Sequence, residues 1–239
     1  MEGDKLALFS DRVVAKYFAT NCWIIAPSRN SECLIVDPGI GSPYLVNEIR
    51  EKCAENNLKP SAILVTHGHL DHTFSILPLQ QDCGISEILI HQKDRDLLAK
   101  PERAMGPQGL GLLKELKSAL GVTDFDEPSG IAEVNEGDEL VIAGLTLKVT
   151  ETPGHTPGSI VFTIENEMLI TGDTLFAGSI GRTDLPRGSI SDMERSLREK
   201  IAPMSAALEI LPGHGERSRL GTELETNPYL IAAMQGRLN

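Results

Sequence analysis

Four side chains able to bind a metal crowd into one short stretch, Thr66-His67-Gly68-His69-Leu70-Asp71-His72. It follows Ser61-Ala62-Ile63-Leu64-Val65, an apolar run with the length and composition of a buried strand. Gly68 and Leu70 space three imidazoles and a carboxylate so that a loop at a strand end can turn them onto one point. The chain has six histidines in 239 residues. Three of them in a single heptapeptide point to a ligand cluster rather than a polar loop with chance histidines. Imidazole and carboxylate together suit zinc, iron or manganese better than a soft thiolate site would.

Three further strand-like runs end in a comparable way. Residues 145–151 lead into Thr152-Pro153-Gly154-His155, 168–171 into Gly172-Asp173, and 207–211 into Pro212-Gly213-His214-Gly215. Glycine and proline hold a single His or Asp on each tight turn. Residues 32–36 stop at Asp37-Pro38-Gly39. Asp37 reads either as a turn residue or as a carboxylate that orients a ligand histidine, and the residues leave both open. His91, at a strand–helix junction, reads as structural.

Other strands are expected at 12–16, 21–26, 87–90, 131–134, 139–142 and 159–164, with Pro27-Ser28-Arg29-Asn30 as a hairpin turn. Ser42 and Pro43 start a helix to about Asn57, with Leu45, Ile49 and Cys53 on one face. Further helices are expected near 74–79 despite Pro78, at 93–100, at 112–120 and at 222–236. Another starts from a capping box at Ser191-Asp192-Met193-Glu194, with Ile190, Met193, Leu197 and Ile201 on its buried face. Strands alternate with helices in both halves, which gives an α/β (α+β) chain with its ligands on loops at one sheet edge. The glycine-rich segment 101–130 reads as a surface elaboration or, preferably, a lid over a pocket.

Composition narrows the function classes. A hydrophobic fraction of 41% is ordinary for a globular protein. No run of 18 apolar residues occurs, so no membrane partner is expected. No secretory signal is visible at Met1-Glu2-Gly3-Asp4-Lys5. Cys22, Cys33, Cys53 and Cys83 form no C-x-x-C pair and read as buried thiols of a reducing, cytoplasmic compartment. The net charge of −12 weighs against nucleic acid as a partner.

The collected ligands are His67, His69, Asp71, His72, His155, Asp173 and His214. Seven exceed the needs of one tetrahedral zinc and fit two divalent metals about 3.5–4 Å apart with a bridging carboxylate. A water shared by such a pair can ionise near neutral pH and attack an ester or thioester carbonyl, with a metal edge receiving the oxyanion.

Through Asp37-Pro38-Gly39, the 67–72 cluster, Pro153-Gly154-His155, Gly172-Asp173 and Pro212-Gly213-His214, the chain resembles the metallo-β-lactamase superfamily over nearly its whole length. The resemblance implies a single domain over 1–239: a four-layer αβ/βα sandwich, two mixed sheets flanked by helices. It implies that His67, His69 and His155 hold one metal, that Asp71, His72 and His214 hold the second, that Asp173 bridges them, and that Asp71 also serves catalysis. It favours the orienting role for Asp37. Within the superfamily the chain is most similar to the glyoxalase II group of hydroxyacylglutathione hydrolases, and Gly181-Arg182-Thr183-Asp184 also resembles that group and the persulfide dioxygenases. Arg182 and Asp184 are expected to brace their loop as an ion pair. The implied activity is hydrolysis of a small-molecule thioester such as S-lactoylglutathione, with two metals, zinc ahead of iron or manganese. The alternatives are a mononuclear iron persulfide dioxygenase on His67, His155 and Asp173, and a metallohydrolase of lactones or other esters. Asp173 stands where one class of true β-lactamases has cysteine, which lowers antibiotic hydrolysis in rank. About 24 residues follow His214-Gly215, so the helical glutathione clamp of longer glyoxalase II enzymes is expected to be missing or differently built.

Overall fold

Twelve strands form two six-stranded mixed sheets in the computed structural model, which describes residues 8–41, 43–121 and 123–238. The first sheet takes its strands in chain order: β1 (Phe9–Val14), β2 (Asn21–Ala26), β3 (Glu32–Val36), β4 (Lys59–Leu64), β5 (Glu87–His91) and β6 (Ile131–Val134). β1 to β3 are antiparallel, and β3 to β6 are parallel. The second sheet comprises β7 (Glu139–Ile142), β8 (Leu145–Glu151), β9 (Ile160–Ile164), β10 (Met168–Gly172), β11 (Glu209–Pro212) and β12 (Ser218–Arg219). Its pairs are antiparallel except β10 with β11. β8, β10 and β11 therefore run the same way and end at one edge of the sheet.

Burial on both faces explains why the central strands read as continuous apolar runs rather than alternating ones. All six residues of β2 are buried. Trp23 and Ile25 point into the layer between the sheets, where they join Leu34, Val36, Leu64, Val149, Phe162 and Ile170. Cys22, Ile24 and Ala26 point outward and pack with Leu45, Ile49 and Cys53 of helix α1 (Tyr44–Glu55). The outer face of the second sheet, through Val161, Leu169 and Ile210, meets Met193 of helix α5 (Ile190–Ser196) and Leu197 and Ile201 of the turn that follows it. The result is helix–sheet–sheet–helix layering. Among the described residues no helix is long and apolar enough to cross a membrane.

The expected elements are present with several corrections. The Ser42 cap lies outside the described residues. Residues 70–83 form two helices, α2 (Leu70–Thr73) and α3 (Ile76–Cys83). Pro78 is accepted because it sits in the first turn of α3, where amides have no intrahelical acceptor. The helix expected at 93–100 is only a 3₁₀ turn, Arg95–Leu97. Its bonds close three residues apart, and the Asp94 side chain before it is committed elsewhere. Helix α4 spans Pro107–Leu120. The cap of α5 is Ser189, whose hydroxyl accepts from Asp192 N, so Ser191 lies inside the helix. Ile190 is 38% exposed and does not belong to the buried face. The single helix expected at 222–236 is two, α6 (Leu220–Thr226) and α7 (Pro228–Met234). Pro228 has no amide to continue α6, and the Asn227 side chain caps α7 by accepting from Tyr229 N and Leu230 N.

Candidate metal centre

Every ligand candidate follows a strand end on the same edge of the sandwich. The loop after β4 carries His67 and His69, and helix α2, into which it leads, carries Asp71 and His72. His155 follows β8, Asp173 follows β10, and His214 follows β11. The two sheets are tied together here by Ile160 N donating to Thr66 O at 2.9 Å and Asn21 N donating to Gly213 O at 2.7 Å. β10 shifts register between Ile170 and Gly172, and Gly172 turns with φ 47°. A Cβ there would lie 2.3 Å from Thr66 Oγ1, so only glycine lets the Asp173 turn approach the histidine loop this closely.

Two groups of side chains result. The ligand atoms of His67, His69 and His155 all lie within 4.8 Å of one another, as do those of Asp71, His72 and His214. Asp173 stands between the groups. Its Oδ2 is 3.4 Å from His155 Nε2 and 3.6 Å from His214 Nε2, and its Oδ1 is 3.4 Å from His72 Nε2. His72 Nε2 lies 3.2 Å from His214 Nε2, and His69 Nδ1 lies 2.7 Å from His155 Nε2.

Hydrogen bonds behind the rings fix which nitrogen is bare. His155 Nδ1–H donates to Arg182 O at 2.7 Å. His72 Nδ1–H donates to Asp37 Oδ2 at 3.0 Å. The Thr66 hydroxyl donates to the same oxygen at 2.6 Å, so Thr66 Oγ1 is left to accept from His67 Nδ1–H at 3.1 Å. In the neutral rings these bonds leave Nε2 of His67, His72 and His155 as lone-pair donors facing the site, the usual support for metal-binding histidines. Asp37 thus orients two imidazoles, one directly and one through Thr66. It also lies close to His67 and His72 as a third cluster, but its oxygens already accept from Thr66 N, Thr66 Oγ1 and His72.

The donor set fits divalent metal. Among the described residues, the buried side-chain nitrogens and oxygens without a hydrogen-bond partner are His67 Nε2, His69 Nε2 and Asp173 Oδ1, all in this site. Buried polar atoms are ordinarily paired, and an ion is a standard reason for such exceptions. Electrostatics divides the site. Burial, with help from the neighbouring imidazoles, pushes His67 well down and His69 to about 3, so both rings are neutral at neutral pH. Burial also pulls on His72, but the carboxylates of Asp173, Asp71 and Asp37 outweigh it and push that ring up to about 10. His214 is raised against its burial by Asp71 and Asp173. Asp71 is raised by burial, but His72, His214 and His69 prevail and hold its carboxyl below the ordinary range.

Arg182 and Asp184 form the expected brace, with Nε–Oδ1 and Nη2–Oδ2 contacts of 2.7 Å. His91 is structural: it is buried, with Nε2 3.0 Å from Glu151 Oε1. Sequence reasoning missed Asp94. Fully buried, it accepts from Gly68 N at 2.9 Å, Thr156 Oγ1 at 2.5 Å and Gly158 N at 3.0 Å, and so joins the first histidine loop to the His155 loop. It also missed the support of the His214 turn, where Trp23 Nε1 and Asn21 Nδ2 donate to Pro212 O at 2.9 and 3.0 Å. A cavity of about 550 Å³ opens beside His69 and Asp71, with α4 as one wall.

Layering and site together define an αβ/βα sandwich with a histidine–carboxylate centre suited to metal at one edge. The chain belongs to the metallo-β-lactamase superfamily, whose family model matches residues 15–214. It is 36% identical over 216 residues to the hydroxyacylglutathione hydrolase GloC of Haemophilus influenzae, covering 89% of this chain and 93% of that one. Among solved structures, the B3 metallo-β-lactamase BLEG-1 superposes with a TM-score of 0.77 at 29% identity, over 93% of this chain and 99% of that one. A protein crystallised in a di-iron-bound form gives 0.72 at 26% identity, over 92% and 99%.

Proposed function

We propose that this protein hydrolyses a small-molecule thioester, of the kind S-lactoylglutathione represents, with two divalent metal ions. In this reading His67, His69 and His155 hold one ion, Asp71, His72 and His214 hold the other, and Asp173 serves both. The observation that carries it is the Asp173 carboxylate, in reach of His155 on one side and of His72 and His214 on the other, with Oδ1 otherwise unpartnered. The likeness to GloC supports the thioester. Zinc suits the donor set, and iron is the alternative that the di-iron relative suggests.

When bound, two such ions supply an ionised water at neutral pH and an electrophile for the carbonyl oxygen. Asp37, Thr66 and the Arg182 carbonyl hold the imidazoles in their binding tautomers. Asp71, facing both the second group and the cavity, orients the attacking oxygen. A C–O bond forms at the thioester carbon, the C–S bond breaks, and the thiolate takes up a proton. We read residues 1–239 as one domain. Residues 101–130 form its lid, anchored where Leu113 and Leu116 pack on Ile40 and Leu70.

Metal counting tests the reading. The wild type is expected to hold close to two ions per chain, and His214→Ala close to one with thioester turnover sharply reduced and the circular dichroism spectrum retained. Asp173→Ala should lose most of its metal and at least ~10²-fold in turnover, the scale of a lost electrophilic stabiliser. A single iron in the wild type, kept in His214→Ala together with oxygen consumption on a persulfide, would replace the hydrolase with a dioxygenase.

A further inference from the structure

We propose that the cavity beside His69 and Asp71 receives an apolar group of the substrate, an alkyl or aryl chain carried on one side of the thioester; this rests on the hydrolase reading above. The cavity holds about 550 Å³, within the range of small-molecule sites, and is continuous with the metal centre through His69 and Asp71. Its walls are Ile40, Leu70, Met105, Leu112, Leu113 and Leu116. Phe18 stands at the same cavity with a left-handed backbone, φ 61°. That conformation is uncommon for a bulky residue and is held only where the surrounding structure imposes it. Phe18 and Leu112 leave 53% and 46% of their surfaces in water, so an apolar occupant would bury apolar area on both.

Charge excludes the opposite kind of occupant. Among the described residues lining the cavity, Arg182 is the one Lys or Arg, and its Nε and Nη2 already donate to the Asp184 carboxylate. A glutathione-type carrier brings two carboxylates and an ammonium. With the one guanidinium here already neutralised by Asp184, burying two further carboxylates would be unfavourable. The cavity therefore selects by chain length, and the glutathione part of a thioester stays in solvent.

Two substrate series on the metal-loaded protein decide this and show which side carries the chain. One varies the acyl group from acetyl to hexanoyl on N-acetylcysteamine; the other varies the thiol from ethanethiol to hexanethiol on an acetyl group. Each buried methylene is worth up to about fourfold. In one of the series kcat/KM should rise tenfold or more from the shortest member to the longest. A smaller rise in both series overturns the proposal. Phe18→Asn, which tolerates the left-handed backbone, combined with Leu112→Gln should lower that ratio at least threefold; a smaller change removes these two residues from the assignment. S-hexyl and S-ethyl thioethers of N-acetylcysteamine, which cannot be hydrolysed, separate the two readings by calorimetry. If no thioester is turned over but the hexyl compound binds at least tenfold more tightly than the ethyl one, the hydrolase reading falls and the cavity assignment stands. If the two bind alike, the assignment falls whatever the activity.

Discussion

Asp94 has no access to solvent, and its carboxylate is the acceptor for two backbone amides and one hydroxyl from two different loops. Asp94→Ala would leave Gly68 N–H, Gly158 N–H and the Thr156 hydroxyl short of that acceptor, each at a cost of about 1–3 kcal/mol when buried. The expected loss is about 3 kcal/mol or more in urea unfolding, with reduced metal content because both histidine loops lose their tie. Asp94→Asn keeps an acceptor oxygen and should lose less of both. Asp37→Ala acts on the rings instead, releasing His72 directly and His67 through Thr66. Metal affinity should fall about 10–100-fold, the usual cost of a lost supporting carboxylate, as read by competition with a chelating dye. The two acids differed in legibility for a physical reason. Asp37 ends an apolar strand beside Pro38-Gly39, so it stands out from its neighbours. Asp94 sits among Gln92, Lys93 and Arg95, where a charged residue looks like surface. Its partners are 26 to 64 residues away, and no local pattern records them.

Hydrophobic runs and turn residues made most elements legible, because a strand buried on both faces must be apolar throughout. β2 and β10 show this with every residue buried. Element ends were less legible. The sequence reads Ser191 as the cap, but the path of the chain after Gly188 brings the Ser189 hydroxyl to Asp192 N instead. Ser189→Ala should cost about 1 kcal/mol, a typical lost N-cap, whereas Ser191→Ala should stay within about 0.5 kcal/mol, as for an ordinary surface change. Denaturant midpoints at constant m-value compare the two. Helix α4 shows another limit. Leu113 and Leu116 pack against Ile40 and Leu70, while Leu112 remains half exposed at the cavity. Hydropathy scores these leucines alike, so it cannot tell a helix face that fills a core from one that walls a cavity.

At the scale of the molecule, the site joins the two sheets. His67, His69, Asp71 and His72 come from the loop and short helix α2 that follow β4 of the first sheet, and His155, Asp173 and His214 from loops of the second. An ion held in either group therefore cross-links both halves, and metal bound to the folded chain alone adds stability by mass action, about 2.7 kcal/mol at a free concentration a hundred times Kd. The acid–base state of the stripped site gives this linkage a distinctive pH profile. His67 and His69 are held below the ordinary histidine range, His69 at about 3. Their contribution is present above an unfolded value of about 6.5 and is lost as pH falls toward 3. His72, pushed up to about 10, and His214, also raised, act in the opposite sense. Their contribution is complete below about 6.5 and is lost as pH rises, for His72 through about 10. The metal-stripped protein should therefore be most stable near pH 6.5 and weaken on both sides. Loading changes the alkaline arm, because metal-binding imidazoles carry no proton to lose. Urea unfolding of stripped and loaded protein from pH 5 to 10 should show the stability gained from metal growing steadily above pH 6.5. A gain that stays constant across that range would mean that His72 and His214 are not displaced by the metal, and would remove them from the ligand set.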